Sequence, residues 1–141
     1  MEYKALASIA GKPGLYKIVK PTRVSVIVES LDSKKSKLVI NANQRISVLE
    51  DISIYTNTVE GSEPLKQVFQ KIYEDFGDDP DLDKNASNSE LISFFKSVLP
   101  EYDQDKVYPS DIKKVVRWYN ILMQQAPQLI SGVSASGDEE E

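Results

Sequence analysis

The sequence predicts an α+β protein: a small SH3-like antiparallel β-barrel or curled sheet over residues 1–58, a three-helix unit over 62–127, and a disordered acidic tail over 128–141. Three observations carry this. Apolar residues alternate with polar ones through Tyr55, then recur at helical spacing from Ser62 onward. Turn-forming residues separate the alternating runs at short intervals. Net charge changes sign at the same place. Residues 1–58 hold nine Lys/Arg against five Asp/Glu, and residues 59–141 hold eight against seventeen, so +4 is followed by −9 and the sum is the formal −5.

The β-elements follow in order. Leu15-Tyr16-Lys17-Ile18-Val19 is the first run, preceded by Lys12-Pro13-Gly14-Leu15, which suits a type II turn with Pro second and Gly third. Val24, Val26 and Val28 alternate with Ser25, Ile27 and Glu29, the period of a strand. Asp32 to Ser36 forms a polar hairpin tip before Lys37-Leu38-Val39-Ile40, and Asn41 to Gln44 is a loop before Arg45-Ile46-Ser47-Val48. Ile52-Ser53-Ile54-Tyr55 is the fifth run. Val, Ile and Tyr suit a pleated, half-buried surface. Short strands this close together favour a strongly curved sheet, because a flat one would leave a face wet and two edges unpaired.

The helical elements follow. Ser62 is the expected cap of a first helix carrying Leu65, Val68, Phe69, Ile72 and Phe76, which ends at Gly77. Ser87-Asn88-Ser89-Glu90 reads as a capping box opening a second helix with Leu91, Phe94, Phe95 and Val98, stopped by Pro100. The third helix holds Ile112, Val115, Val116, Tyr119, Leu122, Met123 and Ala126 on one face, with Ser110 as its expected cap and Pro127 at its end.

Composition narrows the chemistry. There is no histidine and no cysteine. That removes Ser-His-Asp triads, Cys-His pairs and zinc sites built on thiolate or imidazole, so a non-enzyme is expected. No apolar run approaches the roughly 20 residues that cross a bilayer, and the first ten residues lack the basic start and apolar core of a signal peptide. A cytoplasmic protein with no membrane association and no cofactor is expected.

Three groups of residues are candidates for function. Asp79, Asp81, Asp83 and Glu90 occupy the first, third, fifth and twelfth positions of an EF-hand-like loop, whose oxygen ligands would hold a divalent cation. Lys84 stands where the sharp turn needs Gly, and the capping box already accounts for Glu90. Lys34, Lys35 and Lys37 crowd one hairpin and could meet RNA or single-stranded nucleic acid, although lysines at strand tips also serve simply to keep short strands soluble. Trp118 lies at the edge of the third helix's apolar face and is the candidate surface anchor for a protein partner, whereas Tyr119 belongs to the core. Gly11-Lys12-Pro13-Gly14 lacks the spacing of a phosphate-binding loop.

Several blocks together resemble a known family. Ile9-Ala10-Gly11-Lys12-Pro13-Gly14-Leu15-Tyr16-Lys17, Val26-Ile27-Val28-Glu29-Ser30-Leu31-Asp32 and Ile52-Ser53-Ile54-Tyr55 resemble successive blocks of a bacterial domain-of-unknown-function family, the one numbered 5606. Tyr108-Pro109-Ser110-Asp111-Ile112-Lys113-Lys114 with Trp118-Tyr119-Asn120 resembles the helical region that accompanies it. The resemblance implies a small cytoplasmic protein of Bacteroidetes-type bacteria and brings no activity and no functional residues.

The leading functional expectation is thus a non-enzymatic protein-interaction module, met through the loops of the β-unit or the helix surface near Trp118. Nucleic-acid binding and a cation site are the alternatives, and homodimerisation is a further partner expectation.

Overall fold

A computed structural model describes residues 2–41, 43–77, 80, 82 and 85–131. After a 3₁₀ turn at Tyr3–Ala5, five strands form one antiparallel sheet: β1 (Leu6–Ile9), β2 (Lys12–Pro21), β3 (Ser25–Ser30), β4 (Lys37–Asn41) and β5 (Ile46–Val48). Their order is β4-β3-β2-β1-β5, so β4 and β5 lie at opposite edges although only the segment from Asn41 to Ile46 joins them. Laid flat, four strand spacings would separate those edges by about 19 Å. A five-residue step spans at most about 18 Å. The sheet must therefore curl. Bulges between Ala7 and Ile9 and between Ile18 and Lys20 supply the bend.

The curl stops short of the closed barrel. Among the described residues β4 and β5 share no ladder, and the 3 residues of β5 are spent on β1. Inside the curl, Ile9, Tyr16, Val28 and Ile40 make a small core.

The strands differ from expectation at three places. β1 precedes the first strand that alternation reveals; its Ala7 and Ser8 are weak strand formers, and pairing with β2 and β5 on both sides holds it extended. The turn falls at Gly11, whose φ is +84°, and Pro13-Gly14 lies within β2. The run at residues 52–55 does not join the main sheet. Ser53–Tyr55 (β6) pairs with Ser62–Pro64 (β7) in a hairpin of its own, so Ser62 is a strand residue and Pro64 stands at the helix entrance in place of the expected serine cap.

The helices are α1 (Leu65–Phe76), α2 (Asn88–Val98), α3 (Pro109–Gln125) and α4 (Gln128–Ser131). Gly77, at φ +67°, ends α1. The capping box of α2 is formed: Glu90 N donates to Ser87 Oγ at 3.2 Å, and Ser87 N donates to Glu90 Oε1 at 2.8 Å. α3 begins earlier than its expected Ser110 cap, with Tyr108 at the cap and Pro109 in the first turn, where a missing N–H costs nothing. Asp111 Oδ2 accepts from Tyr108 N at 3.0 Å. α4 corrects the expected disorder of residues 128–131: Ile130 is buried, because Leu129 and Ile130 offer apolar surface to the core that the polar residues around them conceal in sequence. Residues 132–141 of the expected tail lie outside the described residues.

One main core unites the units. Leu6, Leu15, Leu31 and Leu49 from the β-side join Phe69, Phe95, Tyr119 and their helical neighbours in a single cluster. The Tyr119 hydroxyl donates to the Gly77 carbonyl and ties α3 to the end of α1. The loop after α2 binds the small hairpin, with Asn57 N donating to Glu101 O at 2.8 Å and Asp103 N to Tyr55 O at 2.9 Å. This fixes the loop before α3 against β6, and with it the wall of a cleft.

Candidate functional site

The three candidate groups fare differently. Lys34, Lys35 and Lys37 are exposed at the β3–β4 tip. The tip is organised by Asp32, whose Oδ1 accepts from Ser30 Oγ at 2.9 Å, Lys34 N at 2.9 Å and Lys35 N at 3.0 Å. The Ser30 hydroxyl, followed by the backbone donors and the Lys34 charge, holds the Asp32 carboxyl below the ordinary aspartate range. The lysines thus surround a built-in counter-charge and stand apart from the cleft described below.

Asp79, Asp81 and Asp83 lie outside the described residues. Glu90 is placed, and its carboxylate serves the α2 cap. Among the described residues no three His, Cys, Asp or Glu side chains gather as metal ligands.

Trp118 is half-buried and lines a cleft of about 520 Å³ between the sheet and α3. The β1–β2 turn, β5 and β6 form one wall, and the loop at Lys106 with the first half of α3 forms the other. Ile52, Ile54, Val107 and Val115 give it an apolar lining. The cations Lys12, Arg45, Lys106, Lys114 and Arg117 stand around it, against the single carboxylate of Asp111. Five positive charges less one leave +4 here, so the remaining −9 of the formal −5 lies elsewhere on the chain.

Among the described residues these cations form no ion pair. The two ion pairs among the described residues, Lys4–Glu2 and Lys66–Glu50, lie elsewhere. Asp111 is committed to the α3 entrance. Lys106 Nζ sits 5.1 Å from the centre of the Tyr55 ring, a cation–π contact that keeps both at the rim, and Tyr55 is 53% exposed. With an apolar lining and an unpaired cationic rim, the arrangement can hold an anionic group whose neighbours are apolar or aromatic. With no histidine or cysteine in the chain, it has no imidazole base or thiolate nucleophile.

The site draws on both ends of the sequence expectation. The β-unit loops and the surface near Trp118, separate candidates in sequence, face one another across this cleft. Arg45, Lys106, Lys114 and Arg117 are the residues that sequence reasoning passed over. A signal for part of them exists: Asp111, Lys114 and Trp118 recur at helical steps of three and four, which puts a charged stripe and the tryptophan on one face of α3. Nothing local marks Arg45 or Lys106, which the fold brings in from a loop on each side.

Fold and cleft together define a small α+β protein with a basic groove between a curled sheet and its helices. The chain belongs to a family of bacterial proteins of unknown function: residues 4–49 match the domain of unknown function DUF5606, and residues 52–122 match the domain of unknown function DUF6852. A solution NMR structure from Bacteroides vulgatus is similar, at 35% identity and TM-score 0.68, covering 94% of this chain and 89% of that one. No functionally curated protein matches. No helix among the described residues is long and apolar enough to cross a membrane.

Proposed function

We propose that this protein is a cytoplasmic, non-enzymatic protein-interaction module whose cleft between the sheet and α3 takes an extended acidic segment of a partner. The observation that supports this best is the isolation of the cleft's charge: +4 within a chain whose other residues sum to −9. A long nucleic-acid backbone needs a continuous basic track. Beyond this cleft a polyanion meets net negative charge, and the Lys34–Lys37 tip lines no part of the groove. A short acidic peptide fits the extent of the positive field, and Trp118 and Tyr55 offer aromatic surface to its apolar residues. The finer fold reading, SH3-like, is supported by the strand order, a four-strand meander whose fifth strand returns beside the first.

Trp118 is the chain's one tryptophan, so its emission reports the cleft directly. Titration with an acidic peptide carrying interspersed aromatic residues is expected to change that emission saturably. Lys114→Glu with Arg117→Glu should weaken binding about tenfold or more, since each places a like charge against the ligand. An oligonucleotide that binds while the peptide does not would overturn the protein-partner reading in favour of nucleic acid. Equal peptide binding by the double variant would overturn the cleft as its site.

A further inference from the structure

We infer that the chain carries its own occupant for this cleft: the acidic run Asp138-Glu139-Glu140-Glu141 docks among Lys114, Arg117 and the facing cations and competes with an outside ligand. This rests on the reading of the cleft as a site for acidic peptides, and it adds a regulator to that site.

Charge and reach argue for it. The run brings four carboxylates to a cleft of net +4. It follows Ser131, the last residue of α4, which packs on α1 and α3. From Trp118 to the end of α3 the helix rises about 10 Å, the link to α4 adds at most about 11 Å and α4 about 5 Å, so Ser131 lies within about 26 Å of Trp118. Lys114, one turn earlier, lies within about 32 Å. Fully extended, the chain beyond Ser131 reaches about 25 Å at Asp138 and about 35 Å at Glu141, so the far end of the run reaches both. The intervening Gly132-Val133-Ser134-Ala135-Ser136-Gly137 contains no proline and no charged residue.

A smaller hollow of about 200 Å³ beside α3, lined by Leu82 and Leu91 as well as Lys113, Asn120, Ile121 and Gln124, shares Arg117 with the cleft.

The test compares the full chain with a full-length variant carrying Asp138→Asn, Glu139→Gln, Glu140→Gln and Glu141→Gln, which leaves every described element intact. Octaglutamate is the probe, with Trp118 emission and its quenching by acrylamide as readouts. The neutralised variant should bind octaglutamate about two- to tenfold more tightly, as expected for removing a tethered competitor at millimolar effective concentration. Its Trp118 should also be more open to quenching at low salt, and raising salt should bring the unaltered chain to the same value. Equal affinity and equal quenching for both chains would overturn the inference while leaving the cleft reading standing. Failure of octaglutamate to bind either chain would overturn the cleft reading itself. Shielding that grows with protein concentration would overturn docking within one chain and assign the run to a second copy.

Discussion

At the scale of single residues, the structure separates side chains that carry a visible local grammar from those that acquire meaning only in three dimensions. Ser87 and Glu90 carry such a grammar, because both partners of the capping box lie within one turn. Ser110 looked equally good as a cap, yet the helix starts earlier, since Pro109 is preorganised for the first turn and Asp111 reaches back to Tyr108 N. Asp32 gives a prediction with a definite sign. Its carboxyl is held low by the Ser30 hydroxyl and the Lys34 and Lys35 N–H groups. The stability it contributes is therefore present above the ordinary aspartate pKa of about 4 and lost as pH falls through its lowered value. Carbon-detected NMR titration should place its midpoint below that of exposed aspartates, and Ser30→Ala should move it upward.

At the scale of elements, pairing and burial override local pattern wherever a segment is short. Leu6–Ile9 has too few β-favouring residues to announce a strand, but neighbours on both sides make it one. Ser62 sits one residue pair from the helix it seemed to cap, and the ladder with Tyr55 claims it for a hairpin. The long helices were legible because each repeats its apolar face for three or more turns, and repetition outweighs any one residue. The four residues of α4 cannot repeat anything. Their role shows in Ile130, which is 1% exposed. Ile130→Ala should lower stability by about 2–4 kcal/mol in urea denaturation, the cost of a buried isoleucine truncated in a packed core. A change within a few tenths of a kcal/mol would mean that α4 is dispensable to the core.

At the scale of the whole molecule, the change of sign along the chain is real and conceals the site. Summed by halves, charge assigns the positive surface to the β-unit; summed by position in space, it assigns it to a cleft to which α3 and its preceding loop contribute Lys106, Lys114 and Arg117. Period and charge along a sequence cannot show this, because the five cations come from four separate segments. The shared core makes a further prediction. Leucines of residues 1–58 complete the helical cluster, so neither part holds a sufficient core alone. Unfolding followed by far-ultraviolet circular dichroism and by Trp118 emission should give one coincident transition. Two separated transitions would mean that the parts fold independently.

The most direct measurement of the central claim is amide chemical-shift mapping of the full chain during titration with an acidic peptide. The account predicts that shifts cluster at the β1–β2 turn around Gly11, at Arg45 and Ser47, at Tyr55 and Lys106, and along α3 at Lys114, Arg117 and Trp118. Shifts confined to the Lys34–Lys37 tip, or spread without a centre over the surface, would contradict it.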